Sequence, residues 1–161
     1  MTELCFVFAS NAEKDADGVI GKYFADAKYD IKFLCSGKKE KILKKDIDLD
    51  LTELDSYKLI CPIGAESLKY TAGLTGVQKY NGVFVEKKYL PITHPNMTIF
   101  KPQLNDDIVS AFSKIKPILQ DDNVGKEIQK DYQFIETQAQ LDKILPQYEE
   151  VDTIVVDIET T

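Results

Sequence analysis

Residues 59–97, LICPIGAESLKYTAGLTGVQKYNGVFVEKKYLPITHPNM, decide the fold of this chain. Their pattern predicts, in order, a strand, a turn, a helix and two further strand-like runs, at residues 58–61, 62–64, 65–71, 82–85 and 89–93. A strand, a glycine turn, a helix and a returning strand form one half of a parallel α/β unit. Such sheets carry their functional groups at the carboxyl ends of the strands, where Gly64 and His94 are expected.

Two earlier runs complete the predicted sheet. Residues 4–9 (LCFVFA) and 31–35 (IKFLC) are apolar almost throughout rather than alternating, as in parallel strands that are covered on both faces. Helices are expected at residues 19–27 and 105–119, because apolar residues recur there at helical spacing. Pro117 is expected to kink or end the second of them. The predicted fold class is therefore α/β, with a short and mainly parallel sheet.

Composition divides the chain into two parts. Residues 1–120 hold 17 Lys against 16 acidic residues, whereas residues 121–161 hold 3 Lys against 11. This shift predicts a domain over residues 1–120, a linker over 121–130 and the start of a second domain over 131–161. All twenty basic residues are Lys. Every phosphate contact is therefore expected to come from the point charge of an ammonium group rather than from the bidentate hydrogen bonds of a guanidinium.

The three cysteines are odd in number, never form Cys-x-x-Cys and lie in apolar runs. They are predicted to be buried free thiols in a reducing cytosol. A cytoplasmic location is therefore expected. No apolar run approaches the ~20 residues that span a bilayer, so no membrane partner is expected.

Three short features are arranged in the order found in one enzyme superfamily. Gly64-Ala65 opens a helix, Asn81-Gly82 follows, and a strand ends in residues 91–96, PITHPN. This order resembles the uracil-DNA glycosylase superfamily. The resemblance implies a three-layer α/β/α sandwich for residues 1–120. It also implies an intercalation loop in the last segment, with His94 near a flipped uracil and Asn96 among the DNA contacts.

The chain departs from that family at two places. Ser10-Asn11-Ala12 stands where active members hold a glycine-rich motif that positions the attacking water, and residues 31–35 contain no Asn to read the uracil. Asn11 is a candidate for orienting a water, and a cap of the following turn is the alternative. The candidate catalytic residues are thus His94 and Asn11, in a vestigial site. His94 is otherwise a strand-end residue held by a backbone bond.

A lysine-rich segment follows the second predicted strand. Residues 36–45, SGKKEKILKK, contain five Lys and one Glu. Lysines in such a loop can contact a nucleic-acid backbone, or they can simply be solvated. The candidate DNA-binding lysines are Lys38, Lys39, Lys41, Lys44 and Lys45.

The last thirty-one residues carry a second pattern. A short strand at residues 132–135, a helix at 137–145 and an apolar strand at 153–156 lead into Asp157-Ile158-Glu159. Side chains at i and i+2 of a strand share a face, so two carboxylates there can hold a pair of divalent ions. This lead-in resembles the start of the 3′–5′ exonuclease domain of family A DNA polymerases. The alternative is that Asp157 and Glu159 are exposed acids.

The second resemblance implies a βαβ fragment of a ribonuclease H-like exonuclease domain, with Mg²⁺ or Mn²⁺ held by the complete domain and no cofactor in this fragment. The sequence thus suggests the N-terminal part of a bacteriophage-type family A polymerase, without activity by itself. If the protein is encoded by a phage, the expected location is the cytoplasm of the host cell. Its expected partners are DNA, the rest of the polymerase chain and other replisome proteins. Two alternatives remain: an active uracil-DNA glycosylase fused to a polymerase, and a pure protein-interaction domain of the replisome.

Overall fold

The computed structural model describes residues 2–13, 15–121 and 137–148. The strands are β1 (Leu4–Ser10), β2 (Asp30–Cys35) and β3 (Leu59–Pro62). The α-helices are α1 (Ala16–Gly21), α2 (Ala65–Ala72), α3 (Val77–Tyr80), α4 (Asn105–Ser113), α5 (Ile115–Gln120) and α6 (Gln138–Ile144). Short 3-10 helices cover Lys44–Asp46, Leu51–Ser56, Pro95–Ile99, Pro102–Leu104 and Leu145–Tyr148. The chain divides into two compact units, Met1–Glu127 and Ile128–Thr161.

The three strands form a parallel sheet in the order β2-β1-β3. Phe6 in the central strand lies opposite Ile31 on one side and Cys61 on the other. Residues 4–8 of β1 are completely buried, because a central parallel strand is covered on both faces and between its neighbours. The three apolar runs predicted as parallel strands are confirmed, and the chain is a mixed α/β protein.

The fourth predicted run, residues 89–93, lies beside β3 in the predicted parallel direction. Two isolated bridges, Ile60 to Tyr89 and Ile63 to Ile92, replace a continuous strand. The backbone N–H of Leu90 donates to Ile60 and that of Ile92 donates to Pro62, each at 2.9 Å. Pro62 has no N–H to donate in return, so the ladder is interrupted between the two bridges. The missing N–H of Pro62 therefore interrupts this strand, although residues 89–93 remain hydrogen-bonded to β3.

Both faces of the sheet are covered by apolar side chains. One cluster joins Phe6 and Phe8 to buried residues of α1, α4 and α5. The other joins Cys5, Val7 and Ile60 to Leu34 and Leu54. All three cysteines are free and buried, as predicted. Burial raises the pKa of the Cys5 thiol to about 12 and raises that of Cys61 well above its usual value.

Two predicted helices have different bounds in the structure. The first runs over Ala16–Gly21 rather than residues 19–27. Gly21 favours an end at this point, because glycine weakens helical propensity by roughly 1 kcal/mol relative to Ala. Phe24 is nevertheless buried, through a turn in which its N–H donates to Ile20 at 3.0 Å. The helix predicted over residues 105–119 is broken into α4 and α5, because Pro117 has no N–H for the carbonyl of Ser113.

The predicted strand at residues 82–85 is wrong. Gly82 lies in a turn at φ +67°, and only Val85 of this run makes a bridge, an antiparallel one to Tyr89. A Cβ on Gly82 would lie 3.1 Å from the Cα of Ala111 in α4. Glycine is needed here both for the backbone conformation and for the close approach of the helix.

In the second unit the predicted helix at residues 137–145 is present as α6. Thr137 accepts the N–H of Gln140 at 3.3 Å, and the side chain of Gln140 accepts the N–H of Thr137 at 3.1 Å. This reciprocal capping box satisfies two backbone donors at the start of the helix. The strands predicted at residues 132–135 and 153–156 lie outside the described residues, as do Asp157 and Glu159.

Candidate nucleic-acid interface

The parallel direction of the strands gathers several loops at one edge of the sheet. β1 ends at Ser10, β2 at Cys35 and β3 at Pro62, and residues 89–93 run parallel beside β3 into His94. Their carboxyl ends all face the same edge, where α/β proteins commonly bind ligands. We refer to this side of the sheet as the carboxyl edge.

The loops that follow β1 and β2 are tied together by hydrogen bonds. The side-chain oxygen of Asn11 accepts the N–H of Gly37 at 2.7 Å, and the N–H of Asn11 donates to Cys35 at 3.1 Å. Ser10 Oγ donates to the carbonyl oxygen of Gly37. Gly37 has a φ of +71°, a conformation that suits glycine. Asn11 thus holds the loop after β2, and its amide oxygen is engaged in that contact.

Residues 36–45, here called the lysine loop, present their lysines to solvent. Lys38, Lys39, Lys41, Lys44 and Lys45 are all exposed. The loop is anchored by Ile42, which is buried and whose carbonyl oxygen accepts the hydroxyl of Tyr70 at 2.7 Å. The N–H of Leu43 lowers the pKa of the Asp46 carboxyl, which lies 3.6 Å from Lys39. The backbone of the loop is therefore fixed, and most of its charge points outward.

His94 is held in a single tautomer by its neighbours. Its Nδ1 accepts the backbone N–H of Asn96 at 3.2 Å, so the proton of the neutral ring lies on Nε2. Nε2 lies 2.9 Å from Oε2 of Glu13 and donates to it. The side-chain amide of Asn96 donates to Oε1 of Glu13 at 3.0 Å. One carboxylate is thus bound by two N–H donors from the segment that follows the fourth run.

Two further residues position the imidazole of His94. The ring of Phe8 meets it edge to face, with the ring centres 5.8 Å apart. Gly64, which immediately precedes α2 and has a φ of +86°, has no side chain, and a Cβ there would lie 3.5 Å from the Cβ of His94. The histidine is packed against the end of the central strand and is three-quarters buried, with 24% of its side chain exposed.

A cleft of about 640 Å³ opens beside this histidine. It lies between the loop after β1, the C-terminal end of α1, the lysine loop and Asn96. Three lysines and two carboxylates contribute to its walls, namely Lys22, Lys38, Lys39, Glu13 and Asp15. A cleft with this mixture of charges can bind an anion once the carboxylates are paired or displaced.

Asn81 is committed to the fold rather than to a ligand. Its side-chain oxygen accepts the N–H of Thr93 at 2.8 Å, and its amide donates to the carbonyl oxygen of Asp107 at 2.9 Å. Lys114 donates to the carbonyl oxygen of Gly82 at 2.8 Å. The side chain of Asn81 thus connects α4 to the fourth run. Asn81 and Lys114 also line a smaller cleft of about 210 Å³.

The structure brings several of the predicted site residues together. Lys38, Lys39 and Asn96 line the larger cleft, while His94 and Asn11 lie at the same carboxyl edge. The remaining predicted lysines, Lys41, Lys44 and Lys45, lie on the exposed part of the lysine loop. The predicted metal ligands Asp157 and Glu159 are outside the described residues.

Glu13 and Lys22 are part of the site but were not predicted from the sequence. Glu13 is 81 positions away from His94, and it lies in a predominantly polar loop, residues 10–18, that carries no recognisable motif. No spacing rule connects them, because only the parallel order of the strands brings the loop after β1 to His94. Among the described residues, no group of three or more His, Cys, Asp or Glu could hold a metal ion.

No protein-family model, curated protein or solved structure matches the chain. Within the described part of the chain, no helix is long and apolar enough to cross a bilayer. The function is therefore inferred from the chain's own residues and their arrangement.

Proposed function

We propose that the chain is the N-terminal part of a bacteriophage-type family A DNA polymerase. Residues 1–120 are a uracil-DNA glycosylase-like α/β/α sandwich that has lost its chemistry and binds DNA. Residues 131–161 begin a 3′–5′ exonuclease domain. One observation carries the DNA-binding role: the parallel strands bring the lysine loop and His94 to the same edge.

Charge and exposure at the carboxyl edge support binding to the phosphate backbone. The five lysines of the lysine loop are exposed on an anchored backbone. Lysine ammonium groups bind phosphates as point charges and do not read base edges as arginine does. Binding is therefore non-specific in sequence and falls steeply with salt, because each neutralised phosphate releases counterions.

The same geometry supports the loss of glycosylase chemistry. Cleavage of a glycosidic bond needs a positioned water, groups that read the base and stabilisation of the leaving anion. The oxygen of Asn11 is bonded to Gly37, and Nε2–H of His94 is bonded to Glu13. β2 ends in Leu34-Cys35, without an amide side chain that could read a base. Of the three requirements, a donor for the leaving anion is the one the site comes closest to meeting.

The exonuclease part of the proposal is supported by the local sequence. Asp157 and Glu159 follow an apolar run at i and i+2, and α6 supplies the helix expected before that run. In a complete domain, such carboxylates hold divalent ions, Mg²⁺ or Mn²⁺, that activate water. The partners of this part are the rest of the polymerase chain and other replisome proteins.

The first test is a salt titration of DNA binding by the full chain, followed by fluorescence anisotropy. Five engaged lysines predict a log–log slope of roughly −3.5 to −4.5. Replacing the five lysines of the lysine loop by Gln is expected to abolish most of this slope. A control variant with the same charge change replaces five exposed lysines on other elements, namely Lys28, Lys69, Lys79, Lys87 and Lys116. The control is expected to keep most of the slope.

Absence of binding at low salt, or equal losses in both variants, would overturn the DNA-binding proposal. It would favour the alternative of a protein-interaction domain. A uracil-release assay tests the other alternative, and we expect no release from single- or double-stranded DNA. Release that disappears in His94→Ala or Asn11→Ala would show a working glycosylase. Sequencing further along the gene tests the parent, since an exonuclease domain needs further carboxylates.

A further inference from the structure

The Glu13 carboxylate occupies a small anion-binding site. Each of its two oxygens accepts one N–H, from His94 at 2.9 Å and from the side chain of Asn96 at 3.0 Å. The two donors are two residues apart on one short segment and together bind both oxygens of a single carboxylate. Because Nδ1 of His94 is an acceptor for the N–H of Asn96, Nε2 is fixed as a donor.

The residues around the Glu13 carboxylate would also favour the binding of an anion that is not part of the protein. Lys22, Lys38 and Lys39 line the same cleft as Glu13 and are exposed. A phosphate presents two free oxygens that can accept the same two N–H groups, and the lysines attract it at longer range. The cleft therefore has the donors and the positive charge to bind a phosphate at the position that the Glu13 carboxylate occupies.

We propose that Glu13 is an internal latch that closes this site, and that a backbone phosphate of DNA displaces it to bind His94 and Asn96. The proposal rests on the proposed function and deepens it, since it assigns the phosphate contact at the carboxyl edge and its regulation. Glu13 is suited to leave, because it lies in the polar loop between β1 and α1. Its N–H is bonded within that loop, to Ser10 at 3.2 Å.

A matched pair of variants separates release of the latch from simple loss of charge. Glu13→Ala frees both donors, whereas Asp15→Ala removes a carboxylate from the same cleft. The Asp15 side chain makes no capping bond to α1, so its removal costs the helix little. Binding of a fluorescent oligothymidylate at low salt is the measurement.

Loss of one cleft charge is expected to tighten binding about twofold in Asp15→Ala. Glu13→Ala is expected to tighten it about tenfold, since two hydrogen-bond donors also become available to phosphate. In the double variant Glu13→Ala/His94→Ala the gain should fall to the level of Asp15→Ala. Equal effects of Glu13→Ala and Asp15→Ala, or weaker binding by Glu13→Ala, would overturn the latch.

A second measurement keeps the latch testable if no variant binds DNA, a result that would refute the proposed function. His94 is the sole histidine, so its ring ¹⁵N signals need no assignment. Titration with inorganic phosphate should shift these signals in Glu13→Ala at a clearly lower phosphate concentration than in Asp15→Ala, where the latch must first be displaced. A ring that does not respond in Glu13→Ala, or a wild-type ring protonated on Nδ1 rather than Nε2, would contradict the latch.

Discussion

Along β1 the chain passes from the interior of the sheet to its carboxyl edge, and the two regions are held together differently. Residues 4–8 are completely buried and apolar, whereas Ser10 is half-buried and Asn11 is exposed. In the interior, the ring of Phe6 meets those of Phe24, Tyr29 and Phe112 at centre distances of 6.0, 5.2 and 6.0 Å. At the edge, the contacts are hydrogen bonds between loops.

This difference separates stability from binding. Burial of apolar area contributes about 25 cal/mol per Å², so the interior supplies most of the free energy of folding. A hydrogen bond at an exposed edge contributes a net of only about 1 kcal/mol. Substitutions at the edge can therefore change what the protein binds while the fold persists. Substitutions in the interior are instead expected to lower the free energy of unfolding.

The largest expected effect is that of Phe6→Ala. It removes a fully buried ring from the centre of the main cluster and should lower the free energy of unfolding by about 3–5 kcal/mol. Chemical denaturation followed by circular dichroism is the measurement.

The control for this substitution is Phe100→Ala, which truncates the same side chain where it is 80% exposed. Its effect should stay within about 0.5 kcal/mol. Similar losses in the two variants would show that the interior and the surface do not differ as the structure indicates.

The second largest effect is expected at alkaline pH, which should lower the free energy of unfolding through a buried thiol in the interior. The folded state raises the pKa of the Cys5 thiol to about 12, mainly by burial and then by the nearby Asp30. The thiol form is thus favoured by folding. Its stabilisation is complete below the unfolded pKa near 9 and is lost as pH rises towards the folded value. Above about pH 9 the free energy of unfolding should fall by about 1.4 kcal/mol per pH unit because of this thiol. Chemical denaturation at a series of pH values between about 8 and 10 is the measurement.

Cys5→Ala supplies the comparison for the alkaline series. Without the thiol, the decline in stability over the same pH range should be shallower, although Cys61 contributes in the same direction. An unchanged slope in Cys5→Ala would mean that this thiol does not carry the effect.

The smallest effect concerns the edge itself. Asn11→Ala removes the 2.7 Å bond to the N–H of Gly37 and should cost about 1 kcal/mol of stability. Amide hydrogen exchange in the lysine loop should rise at the same time, because that bond anchors the loop. Asn105→Ala is the control, since the side-chain contacts of Asn105 are long, 3.5 Å to Tyr23 and to Asp106. Unchanged exchange at Gly37 in Asn11→Ala would contradict an anchoring role.

The three strands of the sheet were predictable because each is a short apolar run, as expected of parallel strands covered on both faces. The same reasoning failed for residues 82–85, which are apolar but form no strand. The bounds of the helices were less predictable. An interruption of the last predicted helix was expected from Pro117, whereas the early end of α1 at Gly21 was not expected. Ile20 and Phe24 were correctly placed in the core, yet the chain between them leaves the helix at Gly21. Similarly, Ile108, Phe112 and Ile115 are all buried, although Pro117 divides their helix.

The residue pattern alone was enough to predict the three parallel strands, the α/β class and the position of His94 after a strand-like run. Hydrophobic pattern and charge are local properties, so they can be read along the chain. Only the tertiary structure decided that Glu13 lies against His94 and Asn96, and that Asn11 holds Gly37. These contacts join loops that are far apart in sequence, and they exist because parallel pairing places the carboxyl ends of all the strands at one edge.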